Sequence, residues 1–173
     1  MENASIALLA VDKLREKGHP IDRDLAVHAL GEVRWPGRLE LAPGFTPPLL
    51  LDCAHNPMGV RALLEFLEDM KWSKSVFLFT AMKDKNYAEM LSLIGPRAEK
   101  IVLCTVEPVS RCATMEDLTV AASKAGLEWT FEADATNAFH QATSVSKTSG
   151  LPLVAFGSIY FIGHLFRLLK IAT

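Results

Sequence analysis

No GxxxxGK(S/T) loop occurs anywhere in the 173 residues, so the chain lacks the usual backbone cradle for a nucleoside triphosphate. No GxGxxG follows its first apolar strand either. Cysteine is scarce. Cys53, Cys104 and Cys112 are odd in number and widely spaced, which argues against a disulfide framework. Cys53 and His55 have no second Cys/His pair at ligand spacing, so no metal site is expected. Basic charge is not in excess: the formal charge is −2, with both signs scattered along the chain. That excludes a nucleic-acid footprint and a polybasic membrane patch. Nor is there an unbroken apolar run long enough for a membrane span, because "LPLVAFGSIYFIGHLF" is interrupted by Pro152, Gly157, Ser158 and His164. The start, "MENASIALLAVDKLREKG", carries Glu2 and further charges from Asp12 onward, unlike a signal peptide. A cytoplasmic protein with neither nucleic acid nor membrane as partner is the expectation.

What is present is enough apolar residue to build a core, 50% of the chain, at a length typical of about one domain. Residues 3–17 read as a helix with Asn3 as its cap, Ala7, Val11 and Leu14 on one face, and Gly18 at its end. "IDRDLAVHAL" reads as a second, shorter helix. A Pro/Gly-rich hinge follows, in which "RLELA" alternates like a half-buried strand. From residue 49 the rhythm is regular: "LLLD", "SVFLFT", "KIVLCTV", "LEWTFEA" and "LPLVAFGS" are short apolar runs separated by helical patterns. Continuous apolar strands alternating with helices predict an α/β fold, a Rossmann-like, mostly parallel sheet with helices on both faces. The boundary is expected near residues 34–35, with a helical segment and hinge over 1–34 and the α/β domain over 35–173.

Ligands of open parallel sheets bind outside the carboxyl ends of the strands, so the residues following each strand are the candidates. After the first come Asp52, His55 and Asn56; after the second Lys83, Asp84 and Lys85; after the third Glu107 and Arg111; after the last Ser158. Solvation alone makes such loops polar, yet acid, imidazole, ammonium and hydroxyl here share one edge. Pro57 suits the first turn of a helix and Asn56 its N-cap. The free N–H groups there favour an anion, with Asp52 placed for a ribose hydroxyl and His55 for a phosphate or sugar. Cys53 and His55, two apart on a tight turn, do not make a nucleophile–base pair. Arg38, beside Trp35, Pro36 and Gly37, has a stiff setting suited to a phosphate, although an ordinary surface arginine fits too. Lys85 offers a point charge to a carboxylate or is a solvated lysine, and Ser158 caps the last helix or faces a ligand.

Taken together, "WPGRLE", "LLLDCAHNP", "TAMKDKNY" and "FGSIYFIGHLF", with "ENASIALLA" before them, resemble the C-terminal half of folylpolyglutamate synthase/dihydrofolate synthase in the Mur ligase superfamily. The counterparts there are a "WPGR" hinge, "DGAHNP", an "A-x-x-DKD-Y" loop, "GSLYLVGE" and a "Q-x-x-NA-x-x-A" helix, in the same order. The resemblance implies an ATP-dependent ligase that activates a carboxylate of folate or dihydropteroate as an acyl phosphate, which the amino group of L-glutamate attacks. It implies ATP and Mg2+ as cofactors, with the magnesium ligands mainly in an N-terminal ATPase domain that is this domain's partner. It assigns Arg38, Asp52, His55 and Asn3 to the nucleotide and Lys85 and Ser158 to glutamate, with no catalytic residue in this domain alone. On this reading residues 1–34 are a helical remnant of the ATPase domain, and the chain by itself is not a catalyst. Two positions depart from the family pattern. Cys53 stands for a glycine, which is expected to narrow the turn, and Asn86 stands for an aspartate. Another Mur-type amino-acid ligase, or a stand-alone nucleotide-binding module without catalysis, is the alternative.

Overall fold

The computed structural model describes the backbone of residues 2–106 and 109–171; Glu107 lies outside the described residues. The chain divides into two compact units, Met1–Trp35 and Pro36–Thr173.

The first unit holds α1 (Glu2–Glu16) and α2 (Arg23–Glu32). Asp22 caps α2, its side chain accepting from the Asp24 and Leu25 N–H groups, and Arg23 Nε donates to Asp12 Oδ1 at 3.0 Å to tie the helices together. Gly18, with φ of 87°, lets the chain turn after α1. The helix begins at Glu2, so Asn3 sits inside its first turn and is not the cap expected of it. Helix formation reaches one residue further back than the capping preference of asparagine suggests. Ile6, Leu9, Leu25, Val27 and Val33 are all exposed.

The second unit follows the expected rhythm: β1 (Glu40–Ala42), β2 (Leu49–Asp52), α3 (Pro57–Asp69), β3 (Ser75–Phe79), α4 (Tyr87–Ile94), β4 (Ala98–Cys104), α5 (Met115–Lys124), β5 (Trp129–Glu132), α6 (Ala135–Ser149), β6 (Leu153–Phe156) and α7 (Ile159–Leu169). The six strands lie in the order β1-β2-β6-β3-β4-β5. All neighbours are parallel except β1, which runs antiparallel along the edge of β2.

Side-chain alternation along a strand sends successive residues to opposite faces, and here both faces are dry. Leu50, Val154, Phe77 and Ile101 stand in one row across β2, β6, β3 and β4 and pack with α3, α4 and α5. The adjacent row, Leu51, Ala155, Leu78 and Val102, packs with α6 and α7. This explains why the strands read as continuous apolar runs. The helices place their apolar residues at helical spacing against these faces, Val60, Leu63 and Leu67 on α3 and Phe161, Ile162, Leu165 and Phe166 on α7. α6 ends on Gly150 in the left-handed conformation. The consequence for function is geometric. Every βα turn opens at the same edge, and β6, the last strand, is inserted between β2 and β3, so its trailing loop lies between theirs.

Candidate functional site at the carboxyl edge of the sheet

The β2–α3 turn is built as its residue types require. Asn56 caps α3, its Oδ1 accepting the Gly59 N–H at 2.8 Å, and Pro57 occupies the first turn. Asp52, only 4% exposed, is turned inward. Its Oδ1 accepts the Ala54 N–H at 2.7 Å and its Oδ2 the Leu39 N–H at 2.8 Å. Burial pushes the Asp52 carboxyl above the ordinary carboxylate range, outweighing these two bonds and the nearby charges of Arg38 and His55. His55 is half-buried, and its Nδ1 lies 2.9 Å from the Cys53 carbonyl oxygen. A carbonyl only accepts, so Nδ1 carries the hydrogen and Nε2 is left for another partner.

Cys53 is buried, and burial raises its thiol above the usual range. With the adjacent imidazole already committed to its carbonyl, nucleophilic chemistry has no support. Its sulfur lies against Gly37, 3.0 Å from where a Cβ would stand on that glycine, in the same apolar cluster as Ile162. The extra side chain therefore fills the space beside the hinge turn.

That turn presents Arg38. Gly37 (φ 73°) and Leu39 (φ 47°) both adopt left-handed backbone, a conformation costly for leucine. Gly37 donates its N–H to Glu40 Oε2 at 2.7 Å and accepts the Cys53 N–H at 2.8 Å, while Leu39 donates to Asp52. The Arg38 side chain is exposed and among the described residues makes no hydrogen bond or ion pair.

Two further loops complete the edge. Lys85 pairs with Asp84 at 3.0 Å, and this bond holds the exposed Asp84 carboxyl below the usual range. Such surface pairs contribute little, so the ammonium is free to exchange partners. Asn86, one of the two departures from the family pattern, caps α4; an amide serves that role as well as a carboxylate. The β4–α5 loop is zipped to the β3–α4 loop through Lys83 N–H to Arg111 O (2.9 Å), Ala113 N–H to Ala81 O (2.8 Å) and a bridge between Met82 and Cys112. Arg111 then reaches Tyr160 at the start of α7. Its Nη1 donates to the phenol oxygen at 3.1 Å, and the guanidinium carbon lies 5.5 Å from the ring centroid. Ser158 is buried and caps α7, accepting the Tyr160 N–H at 3.2 Å.

The structure thus brings Arg38, Asp52 and His55 together at the end of β2, and sets Lys85 and Ser158 on the loops after β3 and β6. Asn3 belongs to the other unit. Glu40 and Tyr160 were not picked out from sequence. Tyr160 sits two residues past the Ser158 cap, an offset that was there to read, whereas Glu40 in "RLELA" looked only like part of an alternating strand. A cavity of about 330 Å3 on α4 and α5, lined by Tyr87, Glu116, Asp117, Val120 and Lys124 among others, includes none of the expected residues. Among the described residues no group of three His, Cys, Asp or Glu side chains is placed to hold a metal ion. None of the described helices is long and apolar enough to cross a membrane.

The family described as "Mur ligase, glutamate ligase domain" matches residues 37–159. The dihydrofolate synthase/folylpolyglutamate synthase of Bacillus subtilis is 30% identical over 171 residues, covering 98% of this chain and 39% of that protein. The folylpolyglutamate synthase of Mycobacterium tuberculosis, solved with ADP and AMPPCP, superposes with a TM-score of 0.79 at 23% identity, over 88% of this chain and 36% of that one. The bifunctional folylpolyglutamate synthase/dihydrofolate synthase of Yersinia pestis, solved with AMPPNP and a manganese ion, gives 0.76 at 22% identity, over 94% and 38%. At these identities the two structures establish the α/β fold. The chain spans about two fifths of the length of the Bacillus relative.

Proposed function

The chain belongs to the Mur ligase glutamate ligase domain family, and from that premise we propose that it is the C-terminal domain of an ATP-dependent ligase that adds L-glutamate to folate or dihydropteroate. Residues 1–34 are then the closing helices of a preceding ATPase domain, and the magnesium ligands lie mainly in that domain. The reaction joins the amino group of glutamate to a carboxylate first converted to its acyl phosphate, with release of inorganic phosphate. In this reading the domain contributes binding and orientation. Arg38 meets the nucleotide phosphates, His55 offers its free Nε2, and Asp52 holds the turn that presents them. Lys85 and Ser158 receive glutamate. Arg111, steered by Tyr160, is a second cation available to the same dicarboxylate.

The observation that carries the reading is the exposed Arg38 guanidinium, without a partner among the described residues, on a turn held by Asp52 beside the capped N-terminus of α3. A helix N-terminus and a rigid guanidinium side by side favour phosphate over other ligands. The test is a chimera in which this chain replaces the matching C-terminal segment of the Bacillus enzyme. ATP-dependent addition of glutamate to dihydropteroate is expected. Arg38→Ala and Lys85→Ala are each expected to lower kcat/KM by at least about 100-fold, the loss of roughly 3 kcal/mol of charge-assisted bonding. A chimera that binds nucleotide but never forms the amide would favour the non-catalytic module.

A further inference from the structure

We propose that Glu40 is the positioning residue for Arg38, and that with Asp52 it forms a two-carboxylate clamp that aims the guanidinium at a polyphosphate. The inference rests on the nucleotide reading of Arg38 and adds to it a residue with no expected contact to ligand. Three backbone bonds define the clamp. Glu40 Oε2 takes the Gly37 N–H at 2.7 Å, Asp52 Oδ2 takes the Leu39 N–H at 2.8 Å, and the Gly37 carbonyl takes the Cys53 N–H at 2.8 Å. Arg38 is the residue between the two clamped amides.

The backbone on either side is left-handed, at Gly37 (φ 73°) and at Leu39 (φ 47°). A leucine does not hold that conformation without outside help, and strained backbone of this kind persists where surrounding bonds over-determine it. Charge placement adds a second reason. Glu40 is two residues along the chain, and Asp52, 14 residues on, is brought to the same turn by its bond to Leu39; among the described residues neither forms an ion pair with Arg38, and each is engaged by backbone amides. Carboxylates used in this way fix the turn while leaving the guanidinium edge open to an incoming anion. Without the Glu40 bond the Gly37 N–H loses its acceptor and the Arg38 backbone regains freedom; the side chain then samples directions away from the α3 N-terminus.

The experiment uses the 173-residue chain with inorganic tripolyphosphate as probe, followed by NMR at the Arg38 side chain and at the Gly37 and Leu39 amides. Glu40→Ala is expected to speed Gly37 amide exchange at least tenfold and to weaken tripolyphosphate binding about three- to tenfold, with the thermal midpoint little changed. Glu40→Gln, which keeps a side-chain oxygen acceptor, is expected to restore both. Arg38→Gln is the reference for complete loss of the contact. If Arg38→Gln leaves binding unchanged, or the wild-type chain binds no tripolyphosphate, the nucleotide reading fails and the clamp with it. If Arg38→Gln weakens binding while Glu40→Ala does not, the clamp alone is overturned. Failure of Glu40→Gln to rescue, despite an intact fold, would likewise overturn it.

Discussion

Gly157→Ala is expected to destabilise the second unit by more than about 4 kcal/mol, at the extreme of single substitutions, and to leave little folded protein. Gly157 has φ of 116°, outside the range side chains ordinarily adopt, and a Cβ there would stand 1.9 Å from the Thr80 carbonyl oxygen and 2.8 Å from Phe79 Cε2. The carbonyl is that of the residue just after β3, and Phe79, which ends the strand, is fully buried and packed against Phe156 with ring centroids 4.8 Å apart. Neither neighbour has space to yield, so backbone strain and steric clash add. Such a loss is a large part of the total stability of a typical domain. The same contact explains the functional geometry. The close approach of the parallel β6 and β3 ends brings the Ser158 loop beside the Lys85 loop, and any side chain at 157 separates them. Chemical denaturation of Gly157→Ala beside Gly150→Ala checks the prediction. A Cβ on Gly150 meets nothing within 4 Å, so only the cost of its positive φ, about 1–2 kcal/mol, is expected there.

The second large effect concerns Asp52. Asp52→Ala is expected to cost about 2–4 kcal/mol, since it removes the acceptors of two backbone N–H groups at a site that is 4% exposed, each orphan costing about 1–3 kcal/mol. Relief of the buried charge offsets part of this. Asp52→Asn is expected to lose less, because one oxygen acceptor survives, although its NH2 then faces the other amide. The pH dependence carries a definite sign. The folded carboxyl titrates above its unfolded value because burial disfavours the anion. The folded state therefore binds the proton at a pH where the unfolded chain does not. Relative to Asp52→Asn, the stability of wild type should rise as pH falls through the folded pKa. It should level off below the unfolded value near 3.8. Urea midpoints of the two proteins across the acid range measure this difference. A gap that narrows on acidification would mean that the backbone bonds, not burial, control the group.

Much of this architecture is written in local sequence. The apolar runs at Leu49–Asp52, Ser75–Phe79 and Leu153–Phe156 lack polar alternation because both faces of the sheet are covered, so their burial and parallel pairing were readable together. Asn56-Pro57 and Ser158 announced two helix starts, and both capping bonds are formed. The insertion of β6 between β2 and β3 was not readable, since strand order is decided by packing between residues about a hundred positions apart. The hinge was visible as Pro36-Gly37, but its conformation was not. No propensity places Leu39 in the left-handed region; the bond that holds it comes from Asp52, 13 residues further on. For the same reason Asp52 was read as facing a ligand when both its oxygens serve the backbone. The Arg111–Tyr160 pair, 49 residues apart, likewise arises only when the loop after β4 folds across the end of β3 toward the start of α7.

We propose that the loops at the carboxyl ends of β2, β6, β3 and β4 form one ligand face for a nucleotide and an acidic amino acid. The most direct test is amide and side-chain NMR of the chain titrated with ADP and then with L-glutamate. ADP is expected to perturb Arg38, Ala54, His55 and Gly59, and glutamate to perturb Lys85, Arg111, Ser158 and Tyr160. L-Glutamine, which lacks the second carboxylate, should perturb the same residues at least tenfold more weakly. Perturbations confined to the α4–α5 cavity around Val120, or equal responses to glutamate and glutamine, would contradict it.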